Sequence, residues 1–356
     1  MTNYKKILNI ALPAMAENFL QMLMGMVDSY LVASLGLVAI SGVSVAGNII
    51  SIYQAIFIAL GAAVSSLISK SLGEGDRDNL AYHTSEAIKL TMLVSMFLGL
   101  LSLVFGRQIL AWLGTEPAVA NAGGLYLALI GGTILLLGLM TTLGSLIRAT
   151  SNPRMPMYIS FLSNLLNVFF SSIAIFIFHM GIVGVALGTI LARLVSVLIL
   201  WKELSLPLAP WSWRLDWDLL RLSLPAAGER LMMRAGDVVI IAIIVKFGTD
   251  AVAGNAIGEV LTQFNYMPGF GVATATVMLV AHAVGQADFQ TVRKLTKQTY
   301  WLSLGLMLPV ALLILALGQP LTHLYTKDSS AVTASLSVIL FSLLGVPMTA
   351  GTVIYT

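Results

Sequence analysis

The chain has 356 residues, is 58% hydrophobic and carries only 10% charged residues. A soluble domain averages about 25% charged residues, so no single soluble core absorbs this composition and the class is a polytopic membrane protein. Cysteine is absent, which removes disulfides and thiolate metal sites. The net charge of +3 says less than where the lysines and arginines fall. No nucleophile elbow, phosphate-binding loop or metal-ligand spacing is present, so no enzyme, cofactor, metal site or nucleic-acid partner is expected.

Ten apolar segments follow one another, at 8–34, 39–69, 80–105, 118–147, 155–179, 181–201, 219–246, 250–284, 295–317 and 331–356. Each is long enough to cross a bilayer as a helix, which takes about 20 residues. The runs are long and lack alternating polarity, so strands are not expected. Pro268, Gly269 and Gly271 give the eighth segment a reason to bend. Lys5, Lys6 and the run up to Ala14-Met15-Ala16 look like a signal peptide, but the same segment recurs later, so cleavage is not expected.

With the N-terminus in the cytoplasm, twelve of the 19 basic residues fall in inner loops, among them Lys5, Lys70, Arg148, Lys202, Arg214 and Arg293. The outer loops hold only Arg107, Lys246 and Lys327, and Lys89, Arg193, Arg230 and Arg234 lie within segments. That bias places the chain in the cytoplasmic (inner) membrane with a cytoplasmic N-terminus.

An internal repeat runs through the chain. "ILNIALPAMAE" from Ile7 resembles "LLRLSLPAAGE" from Leu219, pairing Pro13 with Pro225 at an offset of 212. The offset also pairs Glu17 with Glu229, Gly36 with Gly248, Gly42 with Gly254, Asp76 with Asp288 and Gly106 with Gly318. The first copy has six spans, an even number, so both copies start from the same side. They form two lobes related by a pseudo-twofold axis along the membrane normal. The expected organisation is an N-terminal lobe at 1–205, a cytoplasmic linker at 206–218 and a C-terminal lobe at 219–356. Thr356 aligns with Gly144, inside the fourth span of the first copy. The second copy is therefore expected to have four of six helices and to lack counterparts of roughly 60 residues.

The polar residues inside the spans mark candidate sites. Glu17, Gln21, Met24 and Asp28 form one stripe on the first helix, which cannot face lipid. Asp28 lies in the outer half of the membrane, and a carboxylate there is read as functional rather than as a structural hydrogen-bonding group. Asn164 and Asn167 on the fifth segment either hydrogen-bond beside Asp28 or hold the bundle together. Glu229, Arg230, Arg234 and Asp237 fall within roughly 140° of arc on the seventh, where they form either an ion network or part of a binding site. Arg234 and Asp237 are placed to pair. On the eighth, Asn255, Glu259 and Gln263 share a face, and Glu259 is a second acidic candidate. Arg193 reads as a structural cation facing the bundle. Met15, Met22, Met24, Met26, Met232 and Met233 suit either plain packing or an adaptable substrate surface.

The stretches "MVDSYLVASLG", "AISGVSVAGNI", "ISKSLGEGD", "LPAAGE", "FGTDAVAGNAI" and "AHAVGQAD" resemble the multidrug and toxic compound extrusion (MATE) family over the whole chain. The resemblance implies an all-α, twelve-helix, two-lobed antiporter that exports organic cations against inward flow of protons or sodium. On it, Asp28 matches the first-helix aspartate used for coupling, and Asn167 matches an asparagine of one branch. Two positions depart. That branch has an aspartate one turn on, where Ser171 stands here, and another branch has a glutamate where Met233 stands. The expected sites are thus Asp28, Asn164 and Asn167 for the coupling ion, and Gln21, Met24, Asp237, Asn255 and Glu259 for a small cationic substrate. A monomer in lipid is expected. The alternative within transport is a lipid-linked oligosaccharide flippase, for which Arg193, Arg230 and Arg234 would hold a pyrophosphate.

Overall fold

The computed structural model describes residues 3–150, 152–210 and 216–355, with backbone only at positions 3, 26, 29, 238, 242, 245 and 249. Arg214, the middle of the linker, the Met26 side chain and Thr356 thus lie outside the described residues. All regular structure among them is helical. In chain order the helices are α1 (Asn3–Ala33), α2 (Leu37–Glu74), α3 (Arg77–Trp112), α4 (Pro117–Gly132), α5 (Ile134–Thr150), α6 (Met155–Ser172), α7 (Gly181–Glu203), α8 (Trp217–Ile244), α9 (Thr249–Gly285), α10 (Phe289–His323) and α11 (Ser329–Tyr355). A π turn, Ile173–Ile177, continues α6. Pro268 lies within α9, which runs unbroken from Thr249 to Gly285.

Among the described residues, eight helices are long and apolar enough to cross a membrane, or nine if α4 and α5 count as one broken span. Two of the ten expected segments therefore differ from the simple reading. The fourth is split by a 44° bend at Thr133. Gly131 and Gly132 precede that break, and the Thr133 hydroxyl caps the Leu129 carbonyl at 2.7 Å, a known way to kink a helix. The seventh forms α8, but Asp218, Arg221, Glu229, Arg230, Arg234 and Asp237 make it too polar along its length to pass the same test.

The distribution of side chains suits lipid. Helix α3 exposes Met96, Phe97, Leu100, Leu103 and Val104 along one side. The same helix buries Thr84, Thr91, Ser95 and Ser102 completely or nearly so. Thr91 and Thr142 meet hydroxyl to hydroxyl at 2.6 Å between α3 and α5. Buried small polar groups with an apolar exterior are the pattern of helices packed in a bilayer.

The offset of 212 carries geometry as well as sequence. Gly36 and Gly248 stand before α2 and α9 with φ of 101° and 103°, a backbone that favours glycine. Asp76 caps α3 by accepting from the Asn79 amide, and Asp288 caps α10 by accepting from the Thr291 amide, each at 3.0 Å. A Cβ on Gly42 would lie 2.6 Å from the Gly123 nitrogen and 3.0 Å from the Val119 oxygen. A Cβ on Gly254 would lie 3.1 Å from the Ser335 nitrogen and 2.4 Å from the Ala331 oxygen. Positions 331 and 335 are 119 and 123 advanced by 212, so the same close helix crossing is built twice.

The chain divides into two compact units, one of Phe19–Leu231, the other of Met1–Asn18 with Met232–Thr356. The division falls inside α1 and α8. In the second unit Ile7 and Ala11 pack with Val272, Ala275 and Ile354. In the first, Leu219 joins a core with Leu60, Leu67, Leu143 and Leu200.

The described ends of the linker are fastened to α3. Ser85 donates to the Ala209 carbonyl at 3.2 Å and accepts from the Ala209 amide at 2.8 Å. His83 Nδ1 meets Asp216 Oδ2 at 2.6 Å, and Asp216 Oδ1 accepts from the amides of Asp218 and Leu219 at the start of α8. Burial pushes the Asp216 carboxyl up. The hydrogen bonds from His83, Leu219 and Asp218 and the charge of His83 outweigh this and hold it below its ordinary value of 3.8. A carboxyl held low in the fold stabilises above its unfolded pKa and loses that contribution as pH falls through the folded value. Asp216→Asn should therefore lower the melting temperature at pH 7, and the gap to wild type should close as pH drops below about 4. Melting curves in detergent check this. A gap that stays constant down to pH 3 counts against it.

Candidate functional site

In the first unit, α1, α4, α6 and α7 bring one polar cluster together. Helices α6 and α7 approach closely because Gly188 has no side chain. A Cβ there would lie 2.2 Å from Ser171 Oγ and 2.6 Å from the Ser171 nitrogen. This contact places Ser171, Asn167, Thr189 and Arg193 on facing surfaces, since Thr189 and Arg193 are one turn apart on α7.

The hydrogen bonds run in one direction. Ser171 Oγ lies 2.8 Å from Asn167 Oδ1 and 3.5 Å from the Val185 carbonyl, and its one proton goes to the nearer acceptor, Asn167. Asn167 Nδ2 then donates to Asp28 Oδ2 at 3.5 Å and to Thr189 Oγ1 at 3.4 Å, both long contacts. Thr189 Oγ1 donates to the Val185 carbonyl at 3.0 Å. Turning the Asn167 amide over would set its oxygen against the Asp28 carboxylate, two acceptors face to face. Asn167 and Ser171 are buried, at 6% and 0% exposure, and Asp28 is half-buried. Asp28 Oδ1 and Arg193 Nη1 are both enclosed and have no hydrogen-bond partner among the described protein atoms. Asp28, the phenol of buried Tyr126 and Arg193 lie within electrostatic reach of one another.

The other expected residues distribute as follows. Asn164 donates to the Leu20 carbonyl at 3.0 Å, which ties α6 to α1. Met24 is buried and Gln21 is exposed. In the second unit Arg234 and Asp237 pair at 3.6 Å, each about 60% exposed. Asn255 donates to Glu259 Oε1 at 2.9 Å, and Glu259 and Gln263 are exposed. Thr189 and Tyr126 are cluster members not anticipated from the sequence. Thr189 had a signal, its place one turn before Arg193 on the same face. Tyr126 follows "AGGL" and had none.

The MatE family profile matches residues 13–173 and again 225–356, two matches that begin 212 residues apart. The chain therefore belongs to the MatE family, whose members are membrane transporters and not enzymes. It is 27% identical over 343 residues to the probable multidrug resistance protein NorM of Thermotoga maritima, covering 93% of this chain and 74% of that protein. It is 24% identical to the multidrug export protein MepA of Staphylococcus aureus, covering 96% of this chain and 78% of that protein. A crystal structure of a MATE protein in its bent conformation superposes with a TM-score of 0.92 at 17% identity, covering 100% of this chain and 82% of that one.

Proposed function

We propose that this chain is a cation-coupled antiporter that exports organic cations and drugs across the cytoplasmic membrane by alternating access. The relatives named multidrug resistance and multidrug export proteins support the substrate class. The observation that carries the coupling is the Asp28 cluster, in which a half-buried carboxylate keeps one enclosed oxygen unbonded beside Asn167. In this reading Asp28 takes up the coupling ion from outside and releases it inside. Ion and drug favour different arrangements of two lobes, one built on residues 1–205 and the other on 219–356, which is the differential affinity that exchange requires. Asn164 holds α1 against α6, and Gln21, Met24, Asp237, Asn255 and Glu259 meet the substrate. The N-terminus faces the cytoplasm in this reading, which the distribution of basic residues supports. Neither relative carries a flippase name, and that alternative has no support here.

The test is ethidium efflux from proteoliposomes under an imposed inward gradient of protons or of sodium. Efflux should follow one gradient and stop when an ionophore collapses it. Ethidium movement that is indifferent to both gradients would remove the antiport reading.

A further inference from the structure

The Asp28 cluster is lined by donors, which is the wrong lining for a metal cation. A sodium ion needs several oxygens turned toward it. Here the Asn167 oxygen is engaged by Ser171, so Asn167 presents its NH2 group to Asp28. The Thr189 hydroxyl oxygen accepts from Asn167 and sends its proton to the Val185 carbonyl. Arg193 brings a permanent positive charge, because a guanidinium does not deprotonate in proteins. Its enclosed Nη1 has no hydrogen-bond partner among the described protein atoms, and it lies within electrostatic reach of Asp28. Like the Asn167 NH2 group, the Arg193 guanidinium offers N–H donors and no oxygen to a metal cation.

Resting on the antiport reading, we propose that Ser171 and Arg193 are the residues that set ion selectivity, making the Asp28 site one that exchanges a proton and excludes sodium. Ser171 does this by holding the Asn167 amide in its donor orientation. Arg193 does it by turning an unpaired N–H group, rather than an oxygen, toward the cluster from α7. A proton bound on Asp28 needs no coordination shell and adds no bulk, so it is the one cation this lining admits. The groups facing Asp28 are then Asn167 from α6, Thr189 and Arg193 from α7, and Tyr126 from α4.

The experiment is direct binding of radioactive sodium to the purified protein in nanodiscs at constant ionic strength. Wild type should show no saturable sodium binding that Asp28→Asn removes. The double variant Arg193→Gln, Ser171→Ala removes the fixed charge and frees the Asn167 oxygen to turn. It should gain saturable sodium binding, and adding Asp28→Asn to it should abolish that gain. Saturable, Asp28-dependent sodium binding by wild type overturns the proposal. So does a folded double variant, judged by its melting curve, that gains none. Where the double variant fails to fold, Ser171→Ala alone takes its place and should gain Asp28-dependent sodium binding, and a folded Ser171→Ala that gains none overturns the role given to Ser171. This readout is separate from efflux: sodium binding by wild type would sink the selectivity claim and leave antiport intact. Efflux indifferent to both gradients would sink antiport whatever the sodium result.

Discussion

Asp28→Asn should reduce gradient-driven ethidium efflux to the leak rate of protein-free liposomes while leaving membrane insertion intact. The substitution keeps the shape of the side chain and an acceptor oxygen for Asn167 Nδ2, so the long contact at 3.5 Å can persist. What is lost is the one group in the cluster that can bind and release a coupling cation. The effect on stability sets two forces against each other. Removing a carboxylate from a membrane span relieves a cost of about 2.5–3.5 kcal/mol on insertion scales. It also leaves the Arg193 guanidinium, whose Nη1 is enclosed, without its compensating charge. Breaking a direct buried ion pair costs about 3–5 kcal/mol, and that is an upper bound here because Asp28 and Arg193 interact only through space. The two are of similar size, so the single variant should change stability modestly. The informative quantity is the coupling. Asp28→Asn, Arg193→Gln and the double variant form a cycle whose interaction energy should be nonzero, about 0.5–3 kcal/mol for residues in one network. Additive stabilities would show that the two charges do not sense each other. Efflux at the wild-type rate in Asp28→Asn would move the coupling role elsewhere, with Glu259 and Asp237 the remaining acidic candidates.

The fold was readable from the sequence wherever one helix makes one continuous apolar run. Helices α2, α3, α6, α7, α9, α10 and α11 all fall where their segments do. The repeat was readable because glycines and capping aspartates mark geometry that tolerates few substitutes. Gly36 and Gly248 share a positive φ, and Asp76 and Asp288 share a cap. The break at Thr133 was not readable, since Gly-Gly-Thr within an apolar run also suits a straight helix packed closely on its neighbours. Within the cluster, the Asp28 stripe named the right helix face, because periodicity fixes which residues of one helix share a side. Periodicity does not fix which neighbouring helix that side meets. Asn164 and Asn167 therefore looked equivalent in sequence, and only the packing sends one to Leu20 and the other to Asp28. Arg193 looked structural for the same reason: its register is visible along α7, but the carboxylate it approaches lies on a helix more than 150 residues earlier.

Gly188→Ala should be the most damaging single-methyl change near this site, although it touches neither a charged nor a titratable group. The new Cβ would sit 2.2 Å from Ser171 Oγ, 2.6 Å from its nitrogen and 2.9 Å from its Cα. A side-chain clash is relieved by a rotamer change, but a backbone clash is relieved only by moving a helix. α6 and α7 must then separate by several tenths of an ångström or more. Overpacking of this kind costs about 1–3 kcal/mol. Separation lengthens the 3.4 Å contact that Asn167 makes to Thr189 across this interface and shifts Asn167 against Asp28 on α1, where the contact at 3.5 Å is already near the limit for hydrogen bonds. Ser171 would carry Asn167 with it and leave Asp28 without its donor. Transport should thus fall further than the loss of stability explains. Gly47→Ala is the matched control, since a Cβ at Gly47 meets nothing within 4 Å and lies inside helix α2. That change should stabilise by about 0.5–1 kcal/mol through helix propensity and leave efflux alone. The two variants are compared by melting temperature and by ethidium efflux per folded protein. If Gly188→Ala transports as fast per folded molecule as Gly47→Ala, the close approach of α6 and α7 serves packing only and does not hold Asn167 to Asp28.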